Sequence, residues 1–416
     1  MFIKKIGIKN FKSFKELEIE LRNFNVLIGA NASGKSNFIQ VFEFLRNIIN
    51  YGLDNAISLQ GGIEYLRNIN IGQSENFSLT VIFDHKFGFA SKTEQGLIGI
   101  KIYETIYEFA LKFGKGRSKY EIVNDKLTNK CDFMRLEMKE GEKIEEKEKI
   151  GSGEILHYRI NGKMEIELNK PETMAIGKSD IFPPFFKEDK LPPNTLLLEN
   201  LLYFIPSLED LSDISIYDFD PKIPKKATPI TGKAELEEDG SNLSIVLKNI
   251  IEHSDKKRKL FNLVKDLLPF IDDLNVEKFA DKSLLFNLRE IYTKKHYLPA
   301  SLISDGTINI TALIIALFFE RKPITIIEEP ERNIHPYLIS KLMDIMKEAS
   351  QKKQIIVTTH NPEIVKNAGL KDILLVKRDK DGFSIIYRPS EKEEVQSFLR
   401  NEIGIEELFV QNLLGI

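Results

Sequence analysis

Cysteine is nearly absent: Cys131 is the one thiol in 416 residues. That excludes an internal disulfide framework and a zinc site built on cysteines, and it fits a reducing compartment. Long apolar runs are missing as well. The longest, Ala312 to Phe319, has eight residues, against roughly 20 for a helix that spans a bilayer. Met1-Phe2-Ile3-Lys4-Lys5 leads into a strand pattern, without the charged segment, apolar stretch and cleavage site of a secretory leader. A soluble, cytoplasmic protein with no membrane partner is expected. Charge of one sign is missing too: 59 Lys and Arg against 62 Asp and Glu leave −3. Bulk electrostatics therefore do not predict a nucleic-acid binder, although a local basic patch would suffice. No internal repeat and no sustained heptad occurs, which excludes a long coiled coil. What is present is apolar residues at 42%, enough for proper cores, in a length that suits one large or two to three modest domains.

Residues 29–36 read Gly-Ala-Asn-Ala-Ser-Gly-Lys-Ser, the phosphate-loop pattern Gly-x-x-x-x-Gly-Lys-Ser. Alternating Phe24, Val26 and Ile28 precede it as a strand. Phe38, Val41, Phe42, Leu45, Ile48 and Ile49 follow at helical spacing. A glycine-rich turn between strand and helix aims backbone N–H groups at one point, and the helix dipole adds positive potential. Lys35 would reach the β- and γ-phosphates, and the Ser36 hydroxyl would ligate Mg²⁺. The expected ligands are ATP and Mg²⁺.

Such a loop needs a carboxylate for the metal and a group to position water. The apolar strand Ile324–Ile327 runs into Glu328-Glu329-Pro330. Glu328 would sit over the Mg²⁺ and its waters; Glu329 would polarise the attacking water. Another apolar strand ends in Thr358-Thr359-His360, whose imidazole can contact the γ-phosphate and sense its loss. Ser304-Asp305-Gly306 opens a helix that looks buried all round, Thr307 to Phe319. Taken alone it reads as an N-cap and turn; the order of the motifs along the chain makes it instead a second anion-binding element, facing the ATP of another subunit.

Coarse periodicity suggests three regions. Residues 1–170 hold the loop and a period-two stretch from about Phe77 to Asn169, read as antiparallel strands with a hairpin turn at Asn161-Gly162. Within it, the Glu/Lys-rich run Lys139 to Lys149 reads as a solvated excursion. Residues 171–285 open with a proline-rich boundary and read as a mostly helical insertion. Residues 286–416 return to α/β.

The ordered set Asn10-Phe11-Lys12-Ser13-Phe14, Gly29–Ser36, Ser304-Asp305-Gly306-Thr307, Ile324–Glu329-Pro330-Glu331, His335-Pro336 and Thr358-Thr359-His360 resembles the ATP-binding-cassette ATPases of the RecF/SMC/OLD group. It is most similar to compact OLD-like AAA-family ATPases, and Glu238-Asp239-Gly240-Ser241-Asn242-Leu243 also resembles that compact group. The resemblance implies an α/β P-loop NTPase fold: a bilobed ABC-ATPase head split in sequence, an antiparallel β lobe plus a mixed or parallel α/β lobe. It implies that Lys12, Asn31, Ala32, Ser33, Gly34 and Asn37 lie near the nucleotide with Lys35 and Ser36. It implies that Ser304, Asp305 and Gly306 form a signature motif acting in trans, that His360 is a switch histidine, and that ATP drives a head-to-head homodimer.

The chain departs from that pattern in places. Glu328 stands where many cassette ATPases carry Asp. The tail after His360 is too short for the Toprim nuclease domain of OLD nucleases, so no built-in nuclease is expected. Between Lys35 and Glu328 the SMC coiled coil is replaced by sheet and short helices. Three basic runs could meet a phosphodiester backbone: Lys112-Lys115-Arg117-Lys119, Lys222-Lys225-Lys226 and Lys256-Lys257-Arg258-Lys259. The expected activity is ATP hydrolysis, in DNA-associated work such as anti-phage defence or genome maintenance. The alternative is a nucleotide-gated scaffold that holds or releases a separate effector protein.

Overall fold

The computed structural model describes residues 2–93, 96–114, 119–139, 143–160, 162–174, 176–181, 191–199, 210–293, 295–393, 395 and 404–411. The strands in chain order are β1 (Phe2–Phe11), β2 (Phe14–Glu20), β3 (Phe24–Ile28), β4 (Phe77–Thr93), β5 (Gly96–Phe113), β6 (Tyr120–Lys139), β7 (Lys143–Ile160), β8 (Lys163–Asn169), β9 (Ser215–Tyr217), β10 (Thr228–Pro229), β11 (Ile271–Phe279), β12 (Ser283–Glu290), β13 (Leu298–Pro299), β14 (Ile324–Glu328), β15 (Gln354–Thr359), β16 (Ile373–Arg378) and β17 (Ser384–Tyr387). The helices used below are α1 (Lys35–Tyr51), α2 (Leu53–Leu59), α3 (Ile63–Leu66), α4 (Lys178–Ile181), α5 (Leu243–Ile251), α6 (Ser254–Leu267), α7 (Asp305–Phe318), α8 (Pro336–Ala349) and α9 (Pro362–Asn367). Among the described residues, no helix is long and apolar enough to cross a membrane.

The chain forms two compact units and passes repeatedly from one to the other. The first comprises Met1–Arg22, Ser36–Asp213 and Arg378–Ile386; the second comprises Asn23–Lys35, Ile214–Lys377 and Tyr387–Ile416. This differs from the three-part reading in two ways. Strand β3 and the loop Gly29–Lys35 leave the antiparallel part and join the second unit. Residues 171–285 form no unit of their own: besides α5 and α6 they carry β9 to β11 and the start of β12.

The first unit is built on an antiparallel sheet in the order β2-β1-β4-β5-β6-β7-β8. Period-two alternation buries one face. On β5 the buried set is Ile98, Ile100 and Ile102, then Thr105, Tyr107, Phe109, Leu111 and Phe113. The phase flips because a register shift between Ile102 and Glu104 makes Tyr103 an extra residue. On β6 the phase holds through Leu127, Asn129, Cys131 and Phe133, so one bulge keeps both strands facing the same core. Helix α1 brings an aromatic stripe to that core. Phe44 lies 6.4 Å from Phe11 and 5.9 Å from Phe77 between ring centroids. Phe38 lies 6.5 Å from Phe14. Each ring buried this way contributes about 2–3 kcal/mol.

Of the Lys139 to Lys149 run, residues 140–142 lie outside the described residues, and the rest belongs to the sheet instead of leaving it. β6 continues to Lys139 and β7 starts at Lys143, with Lys139 opposite Lys143 and Glu137 opposite Glu145. The charged side chains are solvated but pair across the strands, Lys139 with Glu145 and Lys147 with Glu137. At the far end of β7, Gly162 takes φ 76 before β8; Asn161 lies outside the described residues.

In the second unit the parallel strands run β16-β3-β15-β14-β9. β3 and β15 are buried at every position, as expected for parallel strands covered on both faces. Helix α7 is buried from Thr307 to Leu317. A smaller antiparallel sheet, β10-β12-β11 with β13 on β12, packs under α5 and α6. One core joins these elements, from Phe24, Val26 and Ile28 through Leu313 and Ile314 to Val357.

Candidate functional site

Register assembles the site. β3, β15 and β14 are neighbours and parallel, with Ile28 opposite Thr359 and Glu328 opposite Thr358. Whatever follows β3, β15 and β14 therefore emerges at the same edge, at strand spacings of roughly 4.8 Å. The followers are Gly29, His360 and Glu329. β9 lies beyond β14 with Tyr217 opposite Ile327, so Asp218 emerges there too. Carboxyl ends of parallel strands are where ligands bind in open α/β sheets.

The loop after β3 is shaped by backbone demands. A Cβ on Gly29 would sit 2.3 Å from the Val376 carbonyl oxygen, so no other residue fits. Gly34 takes φ 117 and Ala32 φ 60. Lys35 opens α1, and its Nζ donates to the carbonyls of Gly29 at 2.6 Å and Ala30 at 3.1 Å. No acidic residue stands in the first turn of α1 to cancel its dipole. Burial lowers the proton affinity of the Lys35 ammonium, and Glu329 and Glu328 pull it back up. Asn31 and Ala32 are exposed; Ser33 and Gly34 are buried.

Glu328 ends β14 half-buried. Burial raises its carboxyl pKa, and Asp218 and Glu329 raise it further, against Arg332 and Lys35. Glu329 takes φ 45, with its N–H on the Thr358 carbonyl at 2.9 Å. Its Oε1 lies 2.8 Å from His360 Nδ1 and its Oε2 accepts from Arg332 at 3.2 Å. Burial would raise this carboxyl, but Arg332 and His360 together hold it below the ordinary value. The buried Glu331 accepts from Thr359 Oγ1, which in turn accepts from the Asn361 N–H at 2.9 Å.

Ser304 caps α7, accepting from the Thr307 N–H at 3.2 Å and sharing a 2.8 Å hydrogen bond with Thr307 Oγ1. Its neighbour Asp305 is ion-paired with Lys225. A Cβ on Gly306 would lie 2.4 Å from the Asn333 carbonyl oxygen. The structure thus supplies the cap, and Ser304 itself is exposed.

Of the residues marked in the sequence, Asn31–Lys35, Glu328, Glu329 and His360 share the second unit, as do Ser304–Gly306. Lys12, Ser36 and Asn37 fall in the first. Lys12 takes φ 47 in the turn between β1 and β2, and burial lowers its pKa. Asn37 Nδ2 donates to Ser13 Oγ at 2.8 Å. No motif marks Asn68, yet it ties that turn down. Its N–H donates to Asn10 Oδ1 at 3.0 Å and its Nδ2 to the Lys12 carbonyl at 2.7 Å. Arg332 and Asp218 were missed as well; the three-residue step from Glu329 to Arg332 was the one available signal. Among the basic runs, Lys225 pairs with Asp305, Lys257 with Asp273 at 3.2 Å and Arg258 with Asp255 at 3.4 Å. Lys115 and Arg117 lie outside the described residues.

A Dictyostelium discoideum protein, "Structural maintenance of chromosomes protein 3", is 28% identical over 135 residues, 31% of this chain and 8% of that protein. "DNA replication and repair protein RecF" of Streptococcus agalactiae serotype Ia is 39% identical over 46 residues, 11% of this chain and 12% of RecF. The chain thus matches only about a tenth of the length of these relatives. Among solved structures, "Crystal structure of the SmcHead bound to the C-winged helix domain of ScpA" aligns over 93% of this chain and 97% of that one, at 16% identity and TM-score 0.49. An Smc head with an extended coiled coil, bound to the C-terminal domain of ScpA from Pyrococcus furiosus, aligns over 96% and 99%, at 15% identity and TM-score 0.48. The family model described as "AAA domain, putative AbiEii toxin, Type IV TA system" matches residues 24–366, which run from β3 past β15 into α9. With most of its length under that model, including the loop, both acids and the histidine, the chain belongs to the AAA_21 family of AAA domains.

Proposed function

We propose that this protein binds Mg-ATP on Gly29–Ser36 and hydrolyses it, and that ATP joins two copies head to head. One observation carries the reading. A phosphate loop, two adjacent carboxylates and a histidine follow three neighbouring parallel strands in register. Lys35 supplies a cation that is already partly desolvated, which strengthens its attraction for phosphate oxygens. Glu329 is held as a carboxylate, the form that accepts a proton from water. His360, more than half exposed at 55%, adds a ring nitrogen beside it.

The donor chemistry suits magnesium. Mg²⁺ is held by one or two carboxylates with waters and substrate phosphates, not by an all-protein cage. Glu328, crowded by the negative charges of Asp218 and Glu329, is an oxygen donor that a cation would relieve, and Ser36 would be the hydroxyl donor. Bound there, Mg²⁺ would neutralise charge developing on the phosphates. Ser304, exposed at the N-terminus of α7, is the element proposed to meet the ATP of the second copy.

The test is Glu329→Gln. Turnover should fall about 10²–10⁴-fold while ATP affinity is kept, because the lost charge matters chiefly in the transition state. ATP should then accumulate a dimer on gel filtration. A Glu329→Gln protein that hydrolyses ATP like wild type and stays monomeric would reject both the assignment and the dimer. A DNA-associated role fits the likeness to a RecF replication and repair protein, and stimulation of turnover by DNA would support it. An ATPase indifferent to DNA that releases a co-purifying protein on ATP addition would favour the effector scaffold instead.

A further inference from the structure

Arg332 links two carboxylates that lie far apart in sequence. Its Nη2 donates to Glu329 Oε2 at 3.2 Å, and its Nη1 to Asp218 Oδ1 at 2.9 Å and to the Phe219 carbonyl at 3.4 Å. An exposed Arg–Glu pair is worth little by itself, since two long side chains must be immobilised for one contact. The second anchor changes that. With Nη1 already held, Nη2 is presented to Glu329 in a fixed position.

Glu329 needs such support. It leaves the end of β14 at φ 45, a left-handed conformation unfavourable for a residue with a Cβ. Its side chain is 29% exposed. Two donors, Arg332 on one oxygen and His360 on the other, set the plane of the carboxylate. Two oxygens offer about four acceptor sites, so lone pairs remain for a water.

Asp218 is mounted in turn. Its N–H donates to the Glu238 carbonyl at 3.0 Å, and the Asp220 N–H to the Asp239 carbonyl at 3.2 Å. Gly240 makes this turn at φ 76, where a Cβ would come 3.2 Å from the Phe219 ring. Asn242 closes it, donating to the Lys233 and Glu235 carbonyls at 3.1 and 2.7 Å and accepting from the Glu237 N–H at 2.8 Å. The Glu238–Leu243 motif, without a role so far, thereby acquires one.

We propose that Arg332, anchored by Asp218, is a positioning residue for the water-activating carboxylate Glu329, and that the Glu238–Leu243 turn is the mount for that anchor. This rests on the ATPase reading above. Arg332→Gln should lower turnover about 10–100-fold, the cost of misplacing a reacting group by about an ångström. Its affinity for a fluorescent ATP analogue and its melting temperature should stay at wild-type values. Asp218→Asn should move turnover the same way by less. Arg332→Lys should recover only part, because an ammonium lacks the planar fork that reaches both carboxylates. The double variant Asp218→Asn/Arg332→Gln should be no slower than Arg332→Gln alone, because both act through one contact. Wild-type turnover in Arg332→Gln, parallel losses of turnover, affinity and melting temperature, or additive losses in the double variant would each overturn the inference. An inactive wild type would overturn it together with the ATPase reading, whereas an active wild type with an active Arg332→Gln would overturn the inference alone.

Discussion

Asp125 shows what a single residue does when it is folded into a place that disfavours its charge. It lies on β6, 2% exposed, with one oxygen accepting from Tyr107 OH at 2.9 Å and the other from the Leu197 N–H at 2.8 Å. Burial outweighs both bonds and pushes its pKa up to about 7, against about 3.9 in an unfolded chain. The folded state therefore keeps this proton to higher pH than the unfolded state. Its contribution to stability is full below about pH 4, falls as pH rises through the interval, and is lost above about pH 7. Asp125→Asn keeps an acceptor for Leu197 and can donate to Tyr107, but carries no proton to lose. The variant should melt higher than wild type at pH 8, with the difference shrinking towards pH 5. A variant that melts lower at pH 8 would reject the argument. Nothing in the sequence around Asp125 signals this, since alternation alone places it inward with Leu127, Asn129, Cys131 and Phe133. The places of Lys35, Glu328 and Glu329 in the fold were legible because their surroundings are local: a glycine-rich turn, or the end of an apolar strand.

At the scale of elements, α7 and the loop after β14 are locked together. Gly306 packs against the Asn333 carbonyl, and Asn309 Nδ2 donates to the Arg332 carbonyl at 2.8 Å. Gly306→Ala should cost about 1–3 kcal/mol, the usual penalty of overpacking, measured by urea unfolding without nucleotide. An unchanged unfolding midpoint would mean that the loop after β14 yields to the added methyl without cost. The sequence located α7 through the unbroken apolar run Ala312 to Phe319, and it located β14 and β15 through shorter apolar runs that end in polar residues. It could not show that β6 and β7 continue through the Glu/Lys-rich run. There the signal is pairing across strands, and exposed pairs of that kind are each worth only about 0–1 kcal/mol.

For the molecule as a whole, the decisive experiment mixes two defective chains. On the ATPase reading proposed above, Lys35→Ala removes the cation that would face the phosphates and should weaken ATP binding more than about tenfold, roughly 1.4 kcal/mol. Ser304→Arg should bind ATP but fail to close on a partner. Each should be inactive alone. In the mixed dimer one site carries both lesions and the other neither, so part of the ATPase activity should return. Full activity of Ser304→Arg alone would leave Ser304 as the cap of α7 and nothing more.

Local chemistry was settled by the order of residues along the chain. The loop Gly29–Ser36 must turn because its glycines permit it. β3 and β14 must be buried because apolar residues dominate them, and β15 because of its Ile355-Ile356-Val357 centre; the acids and histidine must lie at or just past the ends because the apolar runs stop there. Those are short-range facts, and adjacent residues carry them. Which strands become neighbours is a long-range fact. Only the folded sheet puts β15 between β3 and β14 and sets β9 beside β14, and only then can Asp218 meet Arg332, 114 positions away. The division into units was hidden for the same reason. A chain that crosses between two cores at Arg22, Lys35, Asp213, Lys377 and Ile386 carries no change of composition at those points, because each crossing is decided by which core buries the next apolar segment.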